Sequence, residues 1–174
     1  MKTALITGTS SGIGLELIKK FDKGGIRTIS LSRSDIVSDH EFTSNLTHIN
    51  FDITNDEDIK KLVEFLSSNS LQVDFLINNA GKLVNKPFLA QSEVDFKSTY
   101  DVNFFGIVRL IQSLFPFFKK DSHIINISSI GGIGGSSKFP GLSSYSSSKG
   151  ALNILTEVLA TEFKEGPYFN ALCL

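Results

Sequence analysis

The sequence has little of what marks the specialised protein classes. Its 174 residues contain one cysteine and three histidines, so neither an internal disulfide nor a cysteine–histidine metal cluster is expected. Seventeen basic residues against eighteen acidic ones leave a net charge of −1, which argues against a surface for nucleic acid or an anionic membrane. No apolar run has the length of a membrane span or of a signal-peptide core. We therefore expect a cytoplasmic protein that binds neither nucleic acid nor membrane.

The remaining composition is that of one globular domain. Hydrophobic residues make up 41% of the chain and charged residues 20%, both ordinary values. A chain of this length buries about 70% of its surface on folding, which is enough for one core. We assign residues 1–174 to a single domain. The last six residues have the apolar character of a strand interior, so we expect the chain to be part of a longer polypeptide.

Short apolar runs alternate with stretches of helical periodicity along the whole sequence. Residues 35–45 are polar and ambiguous. The alternation predicts βαβ units with right-handed crossovers, and hence a doubly wound parallel sheet with helices on both faces, the Rossmann-type α/β class. Strands are predicted at 2–7, 26–31, 46–51, 73–78, 123–128 and 169–174, and helices at 12–23, 55–68, 92–119 and 143–164.

A glycine-rich turn, TGTSSGIG at 7–14, directly follows the first predicted strand. Glycine permits a tight turn, and the N-terminus of the next helix offers N–H groups to a pyrophosphate. No Gly-Lys-Ser/Thr follows, which argues against a mononucleotide P-loop. Close helix–strand packing without a ligand is the alternative interpretation. The residues expected to bind a dinucleotide here are Gly8, Ser10, Ser11, Gly12, Ile13 and Gly14.

This turn is the first of five motifs that occur in order along the chain. The others are NNAG at 78–81, Asn103 within DVNFFG, NISS at 126–129 and YSSSK at 145–149. Together with the Thr-Gly-x-x-x-Gly-x-Gly turn they resemble the classical short-chain dehydrogenase/reductase family, from residue 3 to about residue 160. The resemblance implies an oxidoreductase that transfers hydride between a nicotinamide dinucleotide and a small carbonyl or alcohol substrate.

Two other functions compete with this one. A non-catalytic dinucleotide-binding or regulatory protein would have the same fold, because fold does not determine function. The presence of both reactive residues of the YSSSK motif favours the enzyme. A sugar-nucleotide epimerase of the extended branch fits less well, because the glycine spacing is the classical one and the chain is short.

Tyr145 and Lys149 lie four residues apart at the start of a predicted helix, and hence on one face. Without further context such a pair is usually a solvated surface pair. A phenol has an ordinary pKa near 10, and a nearby ammonium favours its ionised form, so the pair suits proton transfer near neutral pH. The resemblance implies that Tyr145 is the general acid/base and that Lys149 is its electrostatic partner and also holds the nicotinamide ribose.

The resemblance assigns roles to two further catalytic candidates. Ser129 would donate a hydrogen bond to the substrate oxygen, with Ser128 as the rival. Asn103 would distort its helix and hold a water that passes protons to the lysine. A buried asparagine satisfied by neighbouring backbone is the alternative for Asn103.

The end of the second predicted strand should meet the adenosine ribose. An acidic residue there binds a 2′-hydroxyl, whereas an arginine accepts a 2′-phosphate. Ser32 stands where the acid is expected and Arg33 follows it, so NADP(H) is favoured. Asp35 lies close enough along the chain to leave NAD(H) as the alternative.

Five more residues are expected beside the adenosine half of the cofactor. By resemblance, Asp52 contacts the adenine and Ile53 supplies backbone next to it, although a turn or helix cap is an equally good interpretation of Asp52. Asn79, Ala80 and Gly81 should line the cleft, and Asn79 should also tie strands together through hydrogen bonds.

The two long predicted helices have more apolar surface than one sheet face needs. Phe104 and Phe105 in the first and Val158 and Leu159 in the second illustrate this. We expect a homodimer or homotetramer formed through these helices. The resemblance also implies that relatives continue into a substrate-covering helical segment, which this sequence lacks.

Overall fold

A computed structural model describes all residues, 1–174, and its centre is a single sheet of six strands. All neighbouring strands pair in parallel, in the order β3-β2-β1-β4-β5-β6. The predicted doubly wound, Rossmann-type α/β fold is confirmed. The strands are β1 (Thr3–Thr7), β2 (Arg27–Ser32), β3 (Leu46–Asn50), β4 (Val73–Asn78), β5 (Phe118–Ser128) and β6 (Tyr168–Cys173).

Helices cover both faces of the sheet. Successive residues of β1 point to opposite sides, so Leu5 joins the larger core and Ile6 joins a smaller core beside Ile18. Because both faces are buried, the centre of β1, residues 4–6, consists of apolar residues without alternation. No helix combines the length and the apolarity that crossing a membrane would require. The helices are α1 (Gly12–Lys23), α2 (Asp56–Ser68), α3 (Glu93–Tyr100), α4 (Gly106–Leu114) and α5 (Ser143–Glu162).

Local signals set the ends of α1 and α2. Gly25, which follows α1, has φ +68°, a left-handed conformation that favours glycine, and its N–H donates to the Asp22 carbonyl. At the start of α2, the Asn55 side chain accepts a hydrogen bond from the Glu57 N–H at 2.9 Å. Both ends agree with the sequence prediction within one residue.

The single helix predicted over 92–119 is wrong. A π-turn at Asp101–Phe105 separates α3 from α4, and a 3-10 turn at Phe115–Phe117 ends the helical stretch. Pro116 lies in that turn and has no N–H to continue the helix. β5 begins at Phe118, five residues before the predicted start at His123, because Phe118 already pairs with Val73 of β4. The other predicted ends agree with the structure within two residues.

The order of the strands places a crevice at the centre of the sheet. From β1 the chain winds outward to β2 and β3, and then α2 carries it to β4 on the other side of β1. In open α/β sheets, ligands bind at such a switch point, beyond the carboxyl ends of the strands. A ligand-binding site is therefore expected beyond the carboxyl ends of β1 and β4.

Candidate functional site

A cleft of about 490 Å³ opens beyond the carboxyl ends of β1, β2, β3 and β4. Sixteen residues line it, and ten of them were predicted from the sequence. The ten predicted residues are Gly8, Ser10, Ser11, Ser32, Arg33, Asp52, Ile53, Asn79, Ala80 and Gly81. The six others are Thr7, Leu31, Ser34, Phe51, Lys82 and Val102.

The glycine-rich turn packs closely against the NNAG segment that follows β4. Gly8 has φ +70°, and a Cβ there would lie 2.9 Å from the Ala80 nitrogen. A Cβ on Gly14 would collide with the Gly8 carbonyl oxygen. Gly12 has φ +55°, and a Cβ there would meet no protein atom. Gly8 and Gly14 therefore serve close packing, and Gly12 leaves open space beside the helix start.

The N-terminus of α1 is left without a side-chain cap. The hydroxyl of Ser11, the N-cap residue, accepts no hydrogen bond from the first turn, and that turn contains no acid. By contrast, α2 and α3 are capped by Asn55 and Ser92 and have acids in their first turns. The first-turn N–H groups of α1 and the positive end of its dipole thus remain available to an anion.

Asn79 joins the ends of β1 and β4, as the sequence analysis expected. Its Nδ2 donates to the carbonyl oxygens of Thr7 and Gly8 at 3.0 and 2.9 Å. The Thr7 hydroxyl in turn accepts from the N–H groups of Asn79 and Ala80 at 3.0 and 2.9 Å. Thr7 therefore fixes the segment after β4 against the end of β1.

Arg33 provides an unpaired positive charge at the outer end of the cleft. Its side chain is exposed and forms no salt bridge, since the ion pairs of the chain all involve other residues. Ser32 is buried, and its hydroxyl donates to the Ser34 carbonyl at 2.8 Å. Asp35 does not line the cleft. The wall of the cleft formed by the end of β2 is thus positive and without a carboxylate.

Asp52 has the turn geometry that was one of its two interpretations. Its Oδ1 accepts from the backbone N–H and the hydroxyl of Thr54 at 2.9 and 2.7 Å. Burial by itself would raise the pKa of Asp52, but the hydrogen bonds from Thr54 and the charge of Arg33 outweigh it and lower that pKa. Asp52 is thus a negative group within reach of the field of Arg33.

A second cavity, of about 300 Å³, adjoins the cleft and shares three residues with it: Asn79, Gly81 and Lys82. Lys82 is exposed and lines both the cleft and the cavity, but it was not among the residues predicted from the sequence. Its position directly after the NNAG motif was the signal that would have identified it. The other residues that line this cavity are Ile13, Leu83, Ile127, Ser128, Tyr145, Lys149 and Leu174.

Lys149 is a buried ammonium without a counter-charge. Only 3% of the residue is exposed, and its Nζ donates to the Ile127 carbonyl at 2.7 Å. Burial lowers the pKa of Lys149 to about 8, because the charged form loses its hydration. The same Nζ lies 5.9 Å from the centre of the Tyr145 ring. The predicted pair therefore lies at one wall of one cavity, in an environment that makes the lysine easier to deprotonate.

The two serines at the end of β5 have different hydrogen bonds. Ser128 lines the cavity, and its hydroxyl donates to the Lys149 carbonyl at 3.3 Å. Ser129 is not among the lining residues, and its hydroxyl accepts from the Gly131 N–H at 3.3 Å. The hydroxyl hydrogen of Ser128 is therefore engaged, whereas that of Ser129 has no acceptor in the protein.

Asn103 is fully buried inside the π-turn between α3 and α4. Its Oδ1 accepts from the Lys82 N–H at 2.8 Å, and its Nδ2 donates to the Lys82 carbonyl at 2.9 Å and the Ser148 hydroxyl at 3.0 Å. The helix is distorted at Asn103, as the resemblance implied. The side chain links the segment after the NNAG motif to α5, one residue before Lys149.

The histidines do not contribute to the site. His40 lies 3.3 Å from an oxygen of Asp22, and His48 is 3.1 Å from the Ser30 hydroxyl. His123 stacks against Phe75. No group of three acidic, histidine or cysteine side chains is placed to hold a metal ion.

Comparison with known proteins agrees with this geometry. The sequence model of the family described as short chain dehydrogenase matches residues 2–172. The chain belongs to the short-chain dehydrogenase family.

Individual relatives resemble the chain over almost all its length. The chain is 33% identical to a fatty acyl-CoA reductase of Acinetobacter baylyi, covering 92% of this chain and 57% of that protein. It is also 33% identical to a 3-ketodihydrosphingosine reductase of Bacteroides thetaiotaomicron, covering 98% of this chain and 61% of that one. The chain thus spans about three fifths of these relatives. A short chain dehydrogenase of Leptospira borgpetersenii, solved with bound NAD+, superposes with a TM-score of 0.90 at 28% identity, covering 99% of this chain and 70% of that structure.

Proposed function

We propose that this chain binds NADP(H) and carries the catalytic residues of an oxidoreductase that interconverts a carbonyl and an alcohol. One observation carries the proposal: the cavity with Tyr145 and Lys149 adjoins the dinucleotide cleft and shares three residues with it. A substrate in the cavity would therefore meet one end of a dinucleotide in the cleft. NAD(H), which is bound in the Leptospira relative, is the alternative cofactor.

The residues of the cleft fit a dinucleotide. The uncapped N-terminus of α1 suits the pyrophosphate, with Ser10, Ser11, Gly12 and Ile13 around it. Arg33 suits a 2′-phosphate, because a guanidinium matches phosphate in charge and geometry. When bound, the cofactor supplies or accepts the hydride. The other residues proposed to hold it are Gly8, Gly14, Ser32, Asp52, Ile53, Asn79, Ala80, Gly81, Tyr145 and Lys149.

Proton transfer is proposed for Tyr145. In the reducing direction its hydroxyl donates a proton to the substrate oxygen, and in the oxidising direction the phenolate removes one. The ammonium of Lys149 favours the phenolate, because the two groups lie in a partly buried site where charges interact strongly. Tyr145 is thus the general acid/base and Lys149 its electrostatic partner.

Ser129 is proposed as the hydrogen-bond donor to the substrate oxygen. A group that stabilises a developing negative charge must have a hydrogen to donate. The Ser129 hydroxyl retains one, whereas Ser128 donates to the Lys149 carbonyl. For Asn103 we propose that a water beside its side chain passes protons toward Lys149. Its side chain already bonds to the Lys82 backbone and to the hydroxyl of Ser148, the residue before Lys149.

The test is NADPH oxidation with a panel of carbonyl compounds. The names of the two relatives direct the panel toward a fatty acyl-CoA and a 3-keto long-chain base. Tyr145→Phe should lower kcat at least about 100-fold, because it removes the transferable proton, and should weaken NADPH binding much less, because Tyr145 is only one of many residues proposed to hold the cofactor. Tyr168→Phe, at the exposed amino end of β6, is the matched control. Turnover that survives in Tyr145→Phe would refute the mechanism, and binding of NADPH by the wild type without turnover would favour a non-catalytic protein.

The chain is also proposed to form a homodimer or homotetramer. Phe105 before α4 and Ile154 and Val158 on α5 are each about half exposed, at 48%, 62% and 53%. Burial of these side chains against a second copy would remove apolar surface from water. A cytoplasmic location is proposed with it, since the single cysteine gives no reason for an oxidising compartment.

A further inference from the structure

The helix that contains Tyr145 begins without a cap of its own. The N-cap residue of α5 is Leu142, whose side chain has no hydrogen-bonding group. The N–H groups of the first helical turn need acceptors from elsewhere. Tyr145 lies in that turn, so whatever supplies an acceptor there also restrains the residue proposed to transfer the proton.

Gln91 supplies that acceptor from a distant segment. Its Oε1 accepts from the Ser144 N–H at 3.2 Å, next to Tyr145 in the chain. Its Nε2 donates to the Gly141 carbonyl at 2.9 Å and to the Lys86 carbonyl at 2.8 Å. Both polar atoms of one side chain therefore join the segment after β4 to the start of α5.

The same two segments also meet through backbone. The Lys86 N–H donates to the Gly141 carbonyl at 3.0 Å. Gly141 has φ +86°, and a Cβ there would collide with the Asn85 side-chain oxygen. The left-handed φ of Gly141 favours glycine, and this turn places the Gly141 carbonyl where the Gln91 amide reaches it.

Gln91 is itself firmly held. Its N–H donates to the carbonyls of Pro87 and Phe88 at 3.2 and 3.1 Å. The next residue, Ser92, forms a reciprocal capping pair with Asp95, which also pairs with Lys86 at 2.8 Å. The hydrogen bond from Lys86 is the main cause that lowers the pKa of Asp95 to about 2.

We propose that Gln91 is a positioning residue that sets Tyr145 against the opposite wall of the reaction cavity. We call the three hydrogen bonds of the Gln91 side chain, to Lys86, Gly141 and Ser144, the clamp. The wall opposite Tyr145 includes Lys82 and Leu83, which precede Lys86 in the chain, and Tyr145 directly follows Ser144. The proposal rests on the proposed function of Tyr145. Gln91 touches neither cavity, so its effect on the reaction passes through the two segments that it joins.

The test compares Gln91→Met with the wild type in two measurements. Methionine keeps the length of the side chain and removes all three hydrogen bonds. Hydrogen exchange of the amides in 143–149 should become about tenfold faster, the factor that corresponds to the loss of one helix cap. In the NADPH-dependent assay kcat should fall about tenfold, while the KM for NADPH stays within twofold, because the cofactor cleft is unchanged. A general loss of structure would not separate these two parameters.

Gln72→Met is the matched control, because Gln72 is exposed in the turn before β4 and its side chain makes no hydrogen bond. It should leave both measurements at wild-type values. If Gln91→Met does not fold, Gln91→Glu replaces it and is read from kcat and the KM for NADPH alone: it keeps an acceptor for the Ser144 N–H but cannot donate to the Gly141 and Lys86 carbonyls, so kcat should still fall. If the hydrogen-exchange rate at 143–149 is unchanged in Gln91→Met, Gln91 does not restrain the start of α5. If exchange becomes faster and kcat is unchanged, Gln91 restrains the helix but does not position Tyr145 for the reaction. Absence of wild-type turnover on the whole panel instead refutes the proposed function, and the exchange comparison still decides whether the clamp exists.

Discussion

At the scale of single residues, what a charged side chain can do depends on which partners it already has. Arg33 and Asp52 follow neighbouring strands and line the same cleft. Asp52 already accepts two hydrogen bonds from Thr54, whereas the guanidinium of Arg33 is exposed and unpaired. A free guanidinium can form a bidentate pair with a phosphate. Arg33 is therefore the residue whose removal should separate the two nicotinamide cofactors.

Arg33→Ala should lower kcat/KM for NADPH about tenfold or more and change kcat/KM for NADH less than twofold. A hydrogen bond to a charged group contributes about 1.5–3 kcal/mol, and only NADPH has the 2′-phosphate. The measurement is the initial rate with each cofactor in the carbonyl assay. Arg27→Ala, at the opposite end of β2, serves as the control. An NADPH/NADH ratio that does not change in Arg33→Ala would exclude Arg33 from cofactor selection.

At the scale of elements, the packing of α5 against the end of β5 creates the environment of Lys149. Gly132 allows this contact, since a Cβ there would lie 2.7 Å from the Gly150 nitrogen. The docked helix buries the Lys149 ammonium against the Ile127 carbonyl, and no carboxylate accompanies it. The lowered pKa of Lys149 therefore reports on how α5 docks, and it makes the stability of the fold depend on pH.

Lys149→Met should reveal this dependence in urea unfolding at pH 7.5 and 9.5. The pKa is about 8 in the folded state and near 10.5 in the unfolded chain. Between these values the unfolded state binds more protons, so the wild type gains stability as the pH rises. Relative to Lys149→Met, the gain from pH 7.5 to 9.5 should be about 2 kcal/mol, at about 1.4 kcal/mol for each unit of pKa.

Lys20→Met is the control, because Lys20 is an exposed lysine on α1 without an ion pair. Its stability difference from the wild type should stay constant over the same interval. A constant difference for Lys149→Met as well would mean that the Lys149 ammonium is solvated in the folded state.

The bounds of most elements follow from local sequence, but those between residues 92 and 122 do not. The glycine stop after α1 and the Asn55 cap of α2 lie at the helix ends that they define, so the sequence predicted those ends closely. The stretch from 92 to 122 is different: Pro116 is a local signal for the end of its helical part, but the π-turn and the early start of β5 involve distant partners. Asn103 bonds to Lys82 and Ser148 inside the π-turn, and Phe118 pairs with Val73 in the sheet. Helical periodicity carries no information about such partners. The sequence therefore predicted one continuous helix through the π-turn and past the start of β5.

At the scale of the whole molecule, the proposed self-association is argued from the exposed apolar side chains of α5. Ile154 and Val158 lie four residues apart and hence on one face of the helix. A second copy that brought its α5 against this face would bury both. An acidic side chain placed there would have to be buried unpaired, which is costly.

Val158→Glu should convert an oligomeric protein into monomer, as measured by light scattering of the purified chain at several concentrations. Val37→Glu is the matched control, because Val37 is 84% exposed in the crossover after β2 and should leave the mass unchanged. A wild type that is monomeric at all concentrations would contradict the proposed oligomer.

The family, the chain order of the six strands, and ten of the sixteen residues that line the cleft could be predicted from the sequence alone. These are set by short motifs and by hydrophobic periods, which act over a few neighbouring residues. Three features became visible only in the folded chain: Lys82 lines both cavities, the Ser128 hydroxyl is engaged while that of Ser129 is free to donate, and Gln91 caps α5 from more than 50 positions away along the chain. Each of these depends on a hydrogen bond or a cavity wall between segments far apart in sequence, and such contacts exist only once the sheet has brought the segments together.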